Sequence, residues 1–469
     1  MRKLLLATVA VLGASIGVAS VADAQTPSPA PGTVTVRLNG RFRFYAFGAF
    51  DRDADNNTVA PSSATTGANK QVNFGFAEYA RLYPGFDGVA ANGLKYGASL
   101  EIRQDQASGA GGGSFGSVSQ QNRARSALYF RREWGYLGTD QLGTIRVGTT
   151  DGPATLFLTG TFENFNDGGL NGDIPGLISP NLQLTYPFSS VGNLYATNKA
   201  VYLSPQLFGF DMGVSFEPST ANNSINNNCG ASGPLSGGFT TAAGGVSGPG
   251  CDRLTASPNN AESARRKNTV EAVLRYRGTF GGFGIAATGG YIGGSNVKDN
   301  ASAPLFNSSR TNGLGVRDQF EGLSVGDFGV ALTYAGFSVG ANYQFGRFNG
   351  QWGLAPKGAP GGEAIMVGAS YTIGPVVVGA HALSYTSAGD LGNAFQGRQR
   401  RELGAAAGAT YTVAPGVSLF LSYLFNERKQ NGYNFVTGAG GVTAATPGGN
   451  AANNKVTASL ISLGTSFTW

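Results

Sequence analysis

Long stretches of the chain alternate apolar and polar positions, broken by runs of glycine and small polar residues. In "GLKYGASLEIR", residues 93–103, Leu94, Tyr96, Ala98, Leu100 and Ile102 share one parity, and Lys95, Ser99, Glu101 and Arg103 share the other. Side chains alternate across a β-strand with period two, so this segment is a strand with one apolar and one charged face. The stretch from about Thr33 to Phe47 repeats the pattern. It sets Val34, Val36, Leu38, Phe42 and Phe44 against Arg37, Asn39, Arg41, Arg43 and Tyr45.

Read throughout in this way, the sequence gives sixteen strands joined by seven short turns and eight long loops in strict alternation. The short turns fall at "PGFDG", "GTDQLG", "PQLFG", "GTFGGF", "AGF", "IGP" and "VAPG". All twenty prolines lie outside the strands so drawn, with Pro84, Pro205, Pro375 and Pro415 in short turns. Proline lacks the donor that a ladder needs, which supports the assignment independently of hydrophobicity.

An even strand count with short turns at one end and long loops at the other is the pattern of a bacterial outer-membrane barrel. The fold class expected is therefore all-β: a transmembrane antiparallel β-barrel with short periplasmic turns and long extracellular loops. A soluble sandwich would also alternate. It would not need the turn–loop alternation, nor Tyr96, Trp134, Tyr136, Tyr276, Tyr371 and Tyr411 beside short turns, where amphipathic rings suit the headgroup level. In a barrel the apolar parity faces lipid and the charged parity faces water, and sixteen strands enclose a lumen too wide for side chains to fill. Arg132, between Phe130 and Trp134 on the lipid parity of the fourth strand, is the exception.

Composition agrees with this picture. Charged residues make up 13% of the chain, against roughly 25% in an ordinary soluble domain. The start, Met1-Arg2-Lys3 followed by an apolar stretch and Ala22-Asp23-Ala24, reads as a signal peptide over residues 1–24, cleaved after Ala24. Residues 25–32 then form a short periplasmic tether and residues 33–469 the barrel, which includes a third loop over 151–192 and a long loop over 218–267. Beyond the leader no stretch approaches the ~18 apolar residues of a membrane helix. The formal net charge of +6 is spread along the chain, and no basic patch points to nucleic acid. Cys229 and Cys251 share one long loop. In an exported protein they are expected to pair as a disulfide, two unpaired thiols being the other reading.

The candidate chemistry lies in the lumen. The third loop carries Asp151, Glu163, Asp167 and Asp173 and no Lys or Arg, while inward positions of the early strands hold Arg37, Arg41, Arg43, Arg81, Arg103, Arg125, Arg131 and Arg146. Of these, Arg41, Arg43, Arg131 and Arg146 lie nearest mid-height. Arg103 is placed higher, in the outer vestibule.

"RREWGYLGTDQLGTIRVGTTDGP" and "NKAVYLSPQLFGFDMGVSFEPS" resemble the strand 4–turn–strand 5 and strand 6–turn–strand 7 segments of Gram-negative general porins of proteobacteria. The terminal "LISLGTSFTW", with Phe467 and the last residue Trp469, is similar to their outer-membrane assembly signal. The resemblance implies a third loop folded into the lumen, with Glu163, Asp167 and Asp173 facing a basic wall of Arg41, Arg43, Arg131 and Arg146 across a constriction. It also implies a homotrimer in outer-membrane lipid and lipopolysaccharide, inserted by the outer-membrane assembly machinery. The function expected is passive diffusion of small hydrophilic solutes and ions. Gly148-Thr149 departs from the Gly-Arg more usual at that place in the family.

Enzymatic readings have little support. His381, the single histidine, has no Cys or His at ligand spacing, so no catalytic residue, metal or cofactor is expected. Two other readings stay open. One is a substrate-selective channel, for which Tyr45, Tyr79, Tyr83 and Tyr129 on the inward parity speak. The other is a surface adhesion barrel, for which the Asn-rich, Cys-bearing loop speaks.

Overall fold

The computed structural model describes residues 29–50, 74–105, 128–160, 165–178, 182–188, 196–219, 239–240, 246–247, 266–296, 321–355, 357–389, 400–430 and 454–469. The signal segment, Arg125, Glu163, Cys229 and Cys251 lie outside the described residues.

Sixteen antiparallel strands close into one barrel. They are β1 (Thr33–Ala49), β2 (Phe74–Val89), β3 (Lys95–Asp105), β4 (Tyr129–Thr139), β5 (Gly143–Thr150), β6 (Thr197–Leu203), β7 (Phe210–Ser219) and β8 (Arg266–Phe280), then β9 (Phe283–Asn296), β10 (Leu323–Tyr334), β11 (Phe337–Arg347), β12 (Gly362–Ile373), β13 (Val376–Ser387), β14 (Arg400–Ala414), β15 (Val417–Gln430) and β16 (Lys455–Thr468). Each pairs with its sequence neighbours, and β16 closes on β1 from Arg41↔Thr468 to Ala49↔Leu460. A hairpin of Phe239–Thr240 and Val246–Ser247 stands apart from the barrel.

The polarity is that of a barrel in lipid. On β15 the outward residues Leu419, Leu421 and Tyr423 are exposed, while Ser422, Asn426 and Arg428 on the other parity are buried inside. Arg428 donates to Glu402 of β14 at 2.9 Å. Closure pairs the backbone groups of the wall internally, the condition that lipid imposes on a sheet. At the short-turn end, Phe210–Tyr276, Phe283–Tyr334 and Phe337–Tyr371 pair with ring centroids 4.8, 4.1 and 4.2 Å apart. These outward aromatic pairs form a girdle at one interface.

The structure departs from the sequence pattern at β2 and at β4. The first turn is not at "PGFDG". β2 runs through Pro84 to Val89, and the chain reverses at residues 90–94, where the Ala90 and Gly93 amides bond to Leu94 and Ala90 carbonyls. Asn92-Gly93 makes the turn, since Gly93 takes the left-handed φ of +83° that suits glycine. Pro84 is therefore inside a strand. It faces Leu38 of β1, and on the β3 side the ladder skips from Leu82↔Ile102 to Gly85↔Ser99, as a residue without an N–H requires. Pro218 likewise falls within β7.

β4 carries the second departure. The register against β3 shifts between Glu101↔Arg132 and Ile102↔Phe130, a bulge that gives β4 one extra residue. From there on the parity inverts. Arg132 turns inward onto Glu101 (3.2 Å) and Asp151 (2.7 Å) instead of facing lipid. Trp134 and Tyr136 follow it inward and leave the girdle, with Tyr136 donating to Asp87 and the Arg146 guanidinium 4.3 Å over the Trp134 ring.

Candidate functional site

The connection between β5 and β6 lies inside the barrel. It begins with α1 (Pro153–Leu156), whose Ala154 N–H donates to Glu271 of β8 at 3.1 Å. The Thr159 carbonyl accepts from Asn342 of β11. Thr410 of β14 donates to the Asn166 carbonyl at 3.0 Å, and Asp173 reaches β1 and β2. On the return, Asn426 of β15 donates to the Leu182 carbonyl at 3.3 Å, and Glu402 of β14 accepts from the Thr185 N–H at 2.6 Å. A segment that meets inward side chains from so many strands of a closed wall can only be in the lumen. Its apolar residues Phe157, Leu158, Ile174, Ile178, Leu182, Tyr186 and Phe188 are buried, packed with wall residues such as Val325, Met366 and Leu383.

The tip of the loop bears the charged site. Asp173 accepts from Arg41 at 2.9 Å, from Arg43 at 3.0 Å and from Arg81. Asp167 stands behind it. Its Oδ2 accepts the backbone N–H of Asp173 (2.7 Å) and Ile174 (2.9 Å) and the Tyr45 hydroxyl (3.2 Å), and it lies 3.7 Å from Arg43. The two carboxylates thus divide the work: Asp167 folds the loop tip, and Asp173 faces the arginines. Burial alone pushes the Asp173 carboxyl up, but Arg81, Arg41, Arg43 and Arg103 outweigh it and hold the group well below the usual carboxylate range. For Asp167 burial wins over Arg43 and the backbone donors, with Asp173 adding to it, and its pKa is pushed up to about 6.

Register explains why these arginines converge. Arg41 lies opposite Arg81, and Arg81 opposite Arg103, so three guanidinium side chains sit side by side across β1, β2 and β3. Directly opposed like charges destabilise a sheet, and here carboxylates come between them. Asp173 serves Arg41, Arg43 and Arg81, while Glu101 serves Arg103, Arg131 (3.1 Å) and Arg132.

The structure brings Arg41 and Arg43 together with Asp167 and Asp173 in direct contact. Arg131 instead bonds Glu101, and Arg146 sits nearer the short-turn end over Trp134. Arg81 and Tyr45 join the cluster although the sequence did not single them out for it. Arg81 becomes apparent once Asn92-Gly93 is taken as the turn, because that fixes its place beside Arg103. A second buried network supports the loop's first limb: Lys199 bonds Glu271 (3.1 Å), and Arg266 bonds Glu217 (3.1 Å) and the Trp352 carbonyl (3.2 Å). Among the described residues no group of His, Cys, Asp and Glu has the arrangement of a metal site.

One protein-family model, described as Gram-negative porin, matches residues 7–464. A comparison with curated protein sequences finds no match. Among solved structures, an anion-selective porin from Comamonas acidovorans is similar at 13% identity, over 93% of this chain and 100% of that one, with a TM-score of 0.51. OmpT of Vibrio cholerae, an outer membrane protein in a trimer form, is similar at 14% identity over 93% of this chain and 100% of that one, with a TM-score of 0.48. OmpF of Salmonella typhi, in complex with daunomycin, is similar at 12% identity over 92% of this chain and 97% of that one, with a TM-score of 0.48. Likeness at these identities is a likeness of fold.

Proposed function

The chain belongs to the Gram-negative porin family, and from that premise we propose that it forms a water-filled channel for passive diffusion of small hydrophilic solutes and ions, narrowed at a charged constriction. It is an outer-membrane β-barrel, and family and fold point to a channel rather than an enzyme.

The observation that carries the proposal is the contact of Asp173, on a loop inside the barrel, with Arg41, Arg43 and Arg81 on the wall. Asp167 and Asp173 are the acidic side of the constriction, and Glu163 is counted with them on sequence grounds. Arg41, Arg43 and Arg81 are the basic side, and Arg131 extends it through Glu101. Fixed charges of both signs at a narrow point order the water there. Polar solutes replace that water with interactions of their own and apolar ones do not, so selectivity follows from lining charge and size rather than tight binding.

The same reading takes the protein to be a homotrimer among outer-membrane lipids and lipopolysaccharide. Phe467 and Trp469 serve as its signal to the assembly machinery. They stand where the barrel closes, with the Trp469 N–H donating to the Gly40 carbonyl at 3.2 Å and the Gly40 N–H to the Trp469 carbonyl at 3.1 Å.

Reconstitution into a planar bilayer tests the proposal: large, long-lived open steps support it, and a bilayer that stays closed contradicts it. A substrate-selective channel is the second reading. It is favoured by the inward turn of Trp134 and Tyr136 beside Arg146, a surface on which a planar solute could stack. Transport that saturates with one solute class would mark it.

A further inference from the structure

His381, the one histidine of the sequence, stands on β13 with its imidazole turned to the third loop. It is buried, and its Nε2 accepts the backbone N–H of Leu170 at 2.9 Å. A ring nitrogen that accepts a hydrogen bond carries the lone pair, so the proton belongs on Nδ1 and the ring is neutral. This tautomer is assigned from the hydrogen bond. Nδ1 is itself buried and has no hydrogen-bond partner among the described residues.

The loop is shaped around this ring. Phe165 meets it edge-on, with centroids 5.3 Å apart. Gly169, at a left-handed φ of +58°, lies so close that a Cβ there would run into the imidazole. Asn166 sets the turn, its Oδ1 accepting the N–H of Gly168 (3.0 Å) and Gly169 (2.7 Å). The wall beside the ring is unencumbered: Gly368 faces His381 from β12 and Ala406 from β14. The nearby carboxylates are engaged elsewhere. Asp167 of the loop holds Tyr45 and two backbone amides, and Glu402 of β14 holds Thr185 and Arg428.

We propose that His381 is a positioning residue that latches the turn of residues 165–172 to the wall, and that proton uptake on Nε2 opens the latch. An imidazolium has no acceptor and would set an N–H against the N–H of Leu170. Leu170 is three residues from Asp173, so releasing it loosens the carboxylate that Arg41, Arg43 and Arg81 hold. The inference rests on the reading of the protein as a channel whose third loop sets the constriction.

The test is single-channel recording of full-length protein in planar bilayers between about pH 7.5 and about pH 4, a range that spans ordinary histidine titration. Wild type is compared with His381→Gln and His381→Leu. The wild-type channel is expected to show a reversible, severalfold rise in current fluctuation on acidification. Gln keeps an acceptor but does not titrate, so His381→Gln should stay quiet throughout. Leu offers no acceptor, so His381→Leu should be noisy already at neutral pH. An acid step that survives in His381→Gln would overturn the latch. So would an open wild-type channel with pH-independent current. A wild-type protein that opens no channel would instead overturn the reading on which the latch rests.

Discussion

Arg132 on β4 reaches Asp151, the first residue beyond β5, with 2.7 Å between guanidinium and carboxylate. The contact exists because a single bulge turns Arg132 away from lipid and over the start of the third loop. Removing the guanidinium by Arg132→Ala leaves Asp151 buried with a lost partner. Breaking a buried pair costs ~3–5 kcal/mol, and Arg132 is a quarter exposed, so about 2 kcal/mol is expected. Urea unfolding of the barrel in detergent micelles measures it, and an unchanged midpoint would contradict the role given to the bulge.

Glu271 should matter more. Its carboxylate accepts from Lys199 at 3.1 Å and from the Ala154 N–H at 3.1 Å, and both side chains are fully buried. Glu271→Ala removes the nearer carboxylate of the Lys199 ammonium, Glu217 standing farther off at 3.8 Å. A loss of ~3–5 kcal/mol is expected, read as a lower unfolding midpoint. Proteolysis should also begin in the third loop before the wall opens.

Asp167 predicts a pH effect of defined sign. Its carboxyl is raised from the ordinary 3.8 to about 6, with burial the leading cause. A raised pKa in the folded state means that the contribution is fully present below pH 3.8 and is lost as pH rises through about 6. Asp173 runs the other way: its contribution is present above 3.8 and lost only as pH falls towards its much lower folded value. Infrared difference spectra should show a protonated carboxyl band with a midpoint near pH 6 that is missing in Asp167→Asn. The sign is opposite to that of the histidine latch, which acid loosens, so the two groups are separable.

Much of the barrel is legible in the sequence because its signals are local. Period two, turn residues and the spacing of short and long connections set the strand count and the inside-out polarity of "GLKYGASLEIR" without any tertiary information. The failures are equally physical. "PGFDG" has turn-like composition, yet Asn92-Gly93 supplies the left-handed φ, and misplacing that turn hides Arg81 between Arg41 and Arg103. The bulge at Arg131 and Arg132 depends on Glu101 across the strand and on Asp151 beyond β5, so periodicity along β4 cannot show it. For the same reason period two alone places Trp134 and Tyr136 in the girdle, whereas the bulge turns them inward. His381 reads as an isolated polar wall residue until the loop is seen folded onto it, 211 residues away in sequence.

The central claim is that a loop carboxylate and wall arginines together set ion preference, and opposite substitutions test it most directly. Reversal potentials under a salt gradient should move towards anion preference in Asp173→Asn and towards cation preference in Arg41→Ala plus Arg43→Ala, each compared with wild type. Unchanged reversal potentials in both variants, with channels still open, would contradict it.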